Sequence, residues 1–301
     1  MAKDKSNNIF TFIDLFAGIG GFHLALHDSG GKCVFVSEWD EHARKTYELN
    51  FKKKSPHLFK EGLFGNGQNL FTGDITKINP SSIPDFDILT GGFPCQPFSN
   101  AGFKKRFEDS RGTLFHDIAR IMKEKQPKAF FIENVSHLLK HDDGRTFSTI
   151  KRIIEDELEY SFHHSIVKAS DFNLPQHRKR LFMVGFRDKD VPFKFPEPIK
   201  RTKSMSDIFG GKAEKDIGYT LRVGGRRSGI DDRRNWDAYR VDGELKVLTP
   251  REGKKMMGFP MNYKFPVSDA QAMKQLGNAV AVPAIQATAK EIIIAMEEYY
   301  A

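Results

Sequence analysis

The chain has 301 residues, 39% hydrophobic and 29% charged, which suits one large domain or a large plus a small one. No apolar run approaches the roughly 18 residues of a membrane helix, and the opening MAKDKSNN lacks the apolar core of a signal peptide, so no membrane association is expected. Two cysteines, Cys33 and Cys95, are too few for a disulfide framework or a four-ligand zinc site, and a reducing cytoplasm is the expected setting. Net charge is +8, and between Lys200 and Arg240 eleven Lys or Arg stand against six Asp or Glu. That surplus favours a polyanionic partner, although a solvated charged face gives the same composition.

The first half alternates apolar runs with helical spacing. FTFIDLFA, KCVFVSEWD, DFDILTGG and KAFFIENV read as buried strands. GFHLALHDSG, EHARKTYELN and TLFHDIARIMKEKQ between them read as helices. The alternation predicts an α/β fold with a parallel sheet covered on both faces. GRTFSTIKRIIEDELEY adds a helix, and HHSIVKAS and RLFMVGFR add two strands. Near Asp190 the pattern stops at the proline-rich VPFKFPEP. The glycine- and arginine-rich stretch to about residue 250 predicts a smaller, less regular domain. Helical character returns near Asp269, and GNAVAVPAIQATAKEIIIAMEEYY predicts one long terminal helix docking back on the first domain.

In an open parallel sheet, ligands bind beyond the carboxyl ends of the strands. DLFAGIGGF (14–22) ends the first strand in a glycine turn, and Glu38 ends the second, where a carboxylate can accept from both ribose hydroxyls. Trp39 follows with a ring suited to stacking on a purine. His23 stands where a dinucleotide fingerprint wants a third glycine. Asp14, just before the turn, is expected to suit a cationic ammonium or sulfonium rather than a pyrophosphate. These features fit S-adenosylmethionine better than NAD.

GGFPCQPFSNAG (91–102) sets Cys95 between two prolines after a strand. Its thiol is either packing or a nucleophile, and a nucleophile needs neighbouring cations or backbone donors. Glu133 follows four apolar residues, so desolvation should raise its pKa and favour a neutral, donating carboxyl group. Arg178 and Arg180 lie in QHRKR, and only one of them is expected to reach a substrate. Thiol, acid and cation beside a methyl donor describe attack on an electron-poor ring.

DLFAGIGGF, GDI (73–75), GGFPCQPFS, FIENV, QHRKR and LGNAV, in this order, resemble the motifs of the cytosine-5 DNA methyltransferases, above all the single-chain bacterial restriction–modification enzymes. The likeness runs from Thr11 to Arg187, resumes at LTPRE (248–252) and continues to the terminal helix. It implies a Rossmann-like S-adenosylmethionine-dependent fold with a mixed, mostly parallel sheet. Residues 1–190 would be the catalytic domain, 191–275 a small target-recognition domain, and 276–301 a helix returning to the first. It further implies that Cys95 attacks carbon 6 of cytosine, with Pro94 shaping its loop. Glu133 would bind the ring nitrogen and amino group, and Asn134 would fix the local backbone. Arg180 would hold the exocyclic oxygen, with Arg178 in support.

Phe16, Gly18, Ile19, Gly21, Glu38 and Trp39 would surround the cofactor, Asp74 and Ile75 would meet its adenine, and Leu114, Asn278 and Ala279 would complete the pocket. Many relatives carry serine where this chain has Ala279. Double-stranded DNA is the implied partner, together with a restriction endonuclease acting on the same site, for a monomeric cytoplasmic protein of a prokaryote or a phage. The loop 98–113, including Ser99 and Arg111, would close over the duplex and be mobile without it. Thr220 and Leu221 match a Thr-Leu pair that the family uses near the target phosphate, and Arg222, Arg226, Arg227, Arg233 and Arg234 would divide between phosphates and guanine edges. A stacked cytosine hides its reactive carbons, so it would have to be flipped out. The rival readings are a tRNA cytosine-5 methyltransferase, a catalytically silent DNA-binding regulator on this scaffold and, more distantly, an NAD-linked dehydrogenase.

Overall fold

The apolar runs of the first half become adjacent strands of one sheet. The computed structural model describes residues 10–62, 69–94, 114–224 and 228–300. In chain order the elements begin with β1 (Phe10–Leu15), α1 (Gly21–His27), β2 (Gly31–Ser37), α2 (Glu41–Phe51), β3 (Phe71–Thr72) and β4 (Ile88–Gly91). They continue with α3 (Leu114–Lys125), β5 (Ala129–Val135), α4 (Arg145–Arg152), β6 (His163–Lys168) and β7 (Lys179–Phe186). The remainder is α5 (Met205–Phe209), β8 (Ala238–Val241), β9 (Glu244–Val247), α6 (Pro250–Met257), α7 (Asp269–Asn278) and α8 (Val282–Tyr300).

The seven-stranded sheet has the order β3-β2-β1-β4-β5-β7-β6. The pairs β1–β2, β1–β4, β2–β3 and β4–β5 are parallel, whereas β7 runs antiparallel to both β5 and β6. The sheet is therefore mixed and mostly parallel, as the family resemblance implies, rather than all parallel as the alternation alone predicts. The connection from Lys168 to Lys179 is too short for a crossover helix, which leaves an antiparallel return as the available route. The reversal matters for the site, because β7 brings its beginning, rather than its end, to the rim where β1, β2, β4 and β5 finish. In the register, Arg180 lies opposite Val135.

The central strands are buried on both faces, with Phe12, Ile13, Leu15, Phe130, Phe131, Ile132, Met183 and Val184 at 2% exposure or less. That is why they read as unbroken apolar runs. GRTFSTIKRIIEDELEY is helical, as its spacing predicts, but the α-helix widens into a π-helical turn at Ile153–Glu157. The terminal stretch differs from the expected single helix. It is divided between α7 and α8, with Ala279 extended at φ −69°, ψ 162°. Pro283 fits the break, since in a continuous helix it could not donate to the Ala279 carbonyl and its ring would clash with it, whereas the first turn of α8 tolerates it. By composition and length Asp269–Tyr300 passes for a membrane helix, yet 67% of its most apolar window is buried inside the fold. α8 packs Ile285, Ala289, Ile292 and Met296 inward and lies against α1.

Two elements of the irregular region escaped the sequence reading although their signals were present. Thr249-Pro250-Arg251-Glu252 is a capping box with proline at the first helical turn, and it starts α6. Val-Asp-Gly-Glu joins β8 to β9 through Asp242 (φ 55°) and Gly243 (φ 80°), the paired positive angles of a tight hairpin turn.

Two glycine substitutions separate crowding from backbone strain. A Cβ at Gly185 in β7 would stand 1.9 Å from the Ser161 carbonyl oxygen and 2.4 Å from the Phe130 ring. Gly243 has free space around it and only its φ to satisfy. Gly185→Ala is expected to cost about 3 kcal/mol or more, and Gly243→Ala about 1 kcal/mol. Urea unfolding checks the order, and equal losses would contradict it.

Candidate active site

At the end of β1 the chain turns through Phe16 (φ 56°), Gly18 (φ 55°) and Gly20 (φ 77°) before α1 begins. The turn is tied to the end of β2. The Ala17 N–H donates to the Ser37 carbonyl at 3.0 Å, and the Gly18 N–H donates to Glu38 Oε2 at 2.7 Å. Glu38 Oε1 accepts from the Asp40 N–H at 2.8 Å, so both carboxylate oxygens are fixed by backbone while keeping free lone pairs. Burial pushes the Glu38 pKa up against these hydrogen bonds. Trp39 beside it is 80% exposed, its ring uncovered at the rim. A Cβ at Gly18 would meet nothing within 4 Å, so this point of the turn opens onto space.

Two expectations at this turn are corrected. Asp14 does not face the cavity. It lies fully buried beneath the turn, Oδ2 accepting from the His23 N–H at 3.3 Å and Oδ1 without a hydrogen-bond partner. Burial raises its pKa well above the usual carboxylate range, and its position beneath the turn keeps it from a ligand in the cavity. Gly21 is not on the cavity wall either. It lets α1 approach the chain after α7, where a Cβ would come within 2.5 Å of Val280 Cγ2. His23 is a packed core residue, stacked on Phe51 and hydrogen-bonded to Tyr47 and Ser55.

The other side of the cavity is built from β4, β5 and β7. Asn134 Nδ2 donates to the Phe93 carbonyl at 2.8 Å and so fixes the chain just before Pro94. Glu133 is 8% exposed, and its Oε1 lies 2.9 Å from Arg180 Nε as an ion pair that does not satisfy it as a hydrogen bond. Burial raises the Glu133 pKa, and Arg180 and then Arg178 oppose the rise. Arg178 is 2% exposed, and its guanidinium donates to the carbonyls of Leu221 (3.4 Å), Gly277 (3.1 Å) and Ala279 (2.5 Å). Burial, followed by the neighbouring Arg180, lowers its pKa to about 9, which leaves it charged at neutral pH. Both arginines border the cavity, contrary to the expectation that only one would, because residues two apart in an extended stretch point to the same side.

One cavity of about 790 Å³ joins the two halves. Its wall includes Phe16, Gly18, Ile19, Glu38, Trp39, Asp74, Ile75, Pro94, Leu114, Glu133, Asn134, Arg178, Arg180, Asn278 and Ala279, all anticipated from sequence. Ser37, Asp40, Ala43, Gly73, Thr76, Val135, Gln271, Lys274, Gln275 and Gly277 also line it and were not anticipated. Gly73 opens the GDI motif and Thr76 follows it, and Gly277 lies within LGNAV. Gln271, Lys274 and Gln275 of α7 carry no signal beyond helical spacing, since only tertiary packing brings that helix to the rim.

Cys95, Ser99, Arg111 and the rest of 95–113 lie outside the described residues, as do Arg226 and Arg227. In the irregular region Arg222, Arg233 and Arg234 are exposed, and Arg234 pairs with Asp232 at 2.7 Å. Thr220 is half-buried, its hydroxyl donating to the His177 carbonyl. Leu221 is corrected as a surface residue. At 1% exposure its side chain is core, and its N–H donates to Gln176 Oε1 at 3.1 Å. Trp236, also buried, donates from its indole to the Gly224 carbonyl at 2.8 Å and anchors the glycine stretch.

The sequence model of the family described as C-5 cytosine-specific DNA methylase matches residues 10–224 and 218–294. The type II methyltransferase M.HpaII of Haemophilus parainfluenzae is 41% identical, over 97% of this chain and 91% of its own. M.HhaI of Haemophilus parahaemolyticus is 38% identical over 96% of each. Among solved structures, a DNMT2 mutant of Spodoptera frugiperda superposes with a TM-score of 0.69 at 19% identity, covering 94% of this chain and 99% of that one. A putative DNA modification methyltransferase from an Escherichia coli prophage gives 0.69 at 20% identity, covering 96% and 99%. At such identities these two speak to the fold alone.

Arg178→Ala leaves three carbonyls without their donor in a buried setting, at about 1–3 kcal/mol for each unpaired group. A stability loss of at least about 3 kcal/mol is expected on that basis. Guanidinium chloride unfolding reads it, and a loss below about 1 kcal/mol would show that water replaces the guanidinium freely.

Proposed function

The chain belongs to the family of C-5 cytosine-specific DNA methylases, and from that premise we propose how its residues carry out S-adenosylmethionine-dependent methylation of cytosine in DNA. The observation that carries the reading is that a buried carboxyl–arginine pair and a Glu38–Trp39 rim share one cavity. The rim suits an adenosyl group. Glu38 keeps lone pairs for two ribose hydroxyls, the Trp39 ring is uncovered for stacking, and Gly18 leaves open space. Asp74 and Ile75 meet the adenine, and Leu114, Asn278 and Ala279 close the pocket. Ala279 lacks a hydroxyl, so its backbone is the available contact. When bound, S-adenosylmethionine supplies a sulfonium methyl group, an electrophile for carbon 5 of the base.

The chain's own residues prepare the base. A cytosine flipped from the duplex enters beside Glu133, at an unstacking cost of a few kcal/mol. The Cys95 thiolate adds to carbon 6, and the electron pair moves toward carbon 5 and the ring nitrogen; once carbon 5 is methylated, its proton is lost to a base and the carbon–sulfur bond breaks, which restores the ring and frees the thiolate. Glu133, whose pKa burial raises, donates a proton to the ring nitrogen as negative charge develops. Arg180 turns from its ion pair with Glu133 to the exocyclic oxygen. Asn134 holds the Phe93 carbonyl, just before Pro94 in the chain.

Residues 1–190 serve as the catalytic domain and 191–275 as the recognition domain, with 276–301 returning to the first. Arg222, Arg233 and Arg234, together with Arg226 and Arg227, divide between phosphates and guanine edges. A cognate nuclease sharing the site, monomeric action and a cytoplasmic setting complete the reading. DNA is favoured over tRNA because the named relatives at 38–41% identity are type II methyltransferases, whereas the likeness to DNMT2 is one of fold.

Bisulfite sequencing of plasmid DNA from cells expressing the protein is expected to show protected cytosines within one short sequence, and Cys95→Ala to abolish the protection. Protection surviving in Cys95→Ala would remove the covalent step. Glu133→Gln is expected to slow single-turnover methylation about 10²–10⁴-fold while changing cofactor affinity little. A raised carboxyl pKa means that the donating proton is lost as pH rises through it, so the wild-type rate has a falling alkaline limb. The glutamine variant, with nothing to titrate, lacks that limb; a limb that persists would assign it to another group.

A further inference from the structure

The wall at Gly73–Thr76 is a short loop rather than a strand or long helix, and something must hold it at a fixed distance from the opposite side. At its start Asp74 caps the 3-10 turn Ile75–Lys77 by accepting from the Thr76 N–H at 3.0 Å. At its end the holder is Arg120, from the second turn of α3. Its Nη2 donates to the Ile75 carbonyl at 2.5 Å, its Nη1 to the Ile78 carbonyl at 2.6 Å, and its Nε to Asp117 Oδ1 at 2.8 Å. The ion pair is well shielded, with side-chain exposures of 19% and 9%. Ile75 and Leu114, the first residue of α3, both line the cavity. The guanidinium therefore ties one cavity wall to the helix that carries another.

We propose that Arg120 is a positioning residue that sets the width of the adenine slot, by clamping the Ile75–Ile78 turn to α3. It touches no ligand itself. The inference rests on the reading that Asp74 and Ile75 face the adenine. Only a planar fork reaches two carbonyls and a carboxylate at once, and a lysine ammonium has the charge without that geometry. A slot of fixed width should also distinguish adenine from a ring of altered edge, and a loosened slot should do so less well.

The test is calorimetric binding of S-adenosylhomocysteine and S-inosylhomocysteine to the intact protein and to two variants. Arg120→Ala is expected to bind S-adenosylhomocysteine about ten- to thirtyfold more weakly, and Arg120→Lys severalfold more weakly. Both should show a narrower preference for adenine over hypoxanthine. Ethylguanidinium added to Arg120→Ala should restore part of the affinity. Wild-type affinity in both variants would overturn the proposal. So would weakened binding with an unchanged base preference and no rescue, which is the pattern of a general packing loss. Failure of the wild-type protein to bind S-adenosylhomocysteine would instead overturn the functional reading beneath it.

Discussion

A carboxyl group taken out of water beside two guanidinium groups is the constraint on which this site depends. Glu133 sits at the end of a strand whose four preceding residues are buried, so the sheet that makes the core also desolvates the acid. Desolvation holds the proton on, and Arg180 and Arg178 pull toward ionisation. Burial has the larger effect and the pKa is raised, which favours a carboxyl that can exchange a proton with a bound ring. Oε1 is held by Arg180 as an ion pair without a well-formed hydrogen bond, which suits a group that takes a further partner.

Chain direction delivers the remaining parts to the same rim. Parallel strands bring their carboxyl ends there, and β7, the reversed strand, brings its amino end. Arg178 then does more than support a pocket, because its three carbonyl partners come from the start of the glycine-arginine stretch and from the break between α7 and α8. The smaller region is thereby fastened to the catalytic sheet at a buried cation. Gly277, where a Cβ would press within 2.8 Å of the Arg222 backbone, lies at the same junction.

Much of this was legible in sequence. The apolar runs predicted six of the seven strands, and motif order placed Glu38, Glu133 and the arginines near one edge. Phe71–Thr72 was missed because two residues give no period. The failures share a cause, which is contact between residues distant in the chain. Asp14 looked like a ligand group because its position before the turn was visible and its burial was not. Leu221 looked like a DNA contact because nothing local reveals that Gln176 and Arg178 hold its backbone in the core. Arg120 carried no signal at all, since its partners at Ile75 and Ile78 are more than forty residues away. The hairpin at Asp242–Gly243 and the capping box at Thr249 had local signatures and could have been read.

The central claim concerns the proton on one side chain, and carbon-13 NMR titration of the glutamate carboxyls measures it most directly, with the Glu133 resonance identified by its absence in Glu133→Gln. The account predicts a midpoint for Glu133 above the ordinary glutamate value of about 4.3. A midpoint at or below that value would mean that the arginines outweigh burial, leaving no proton there to donate.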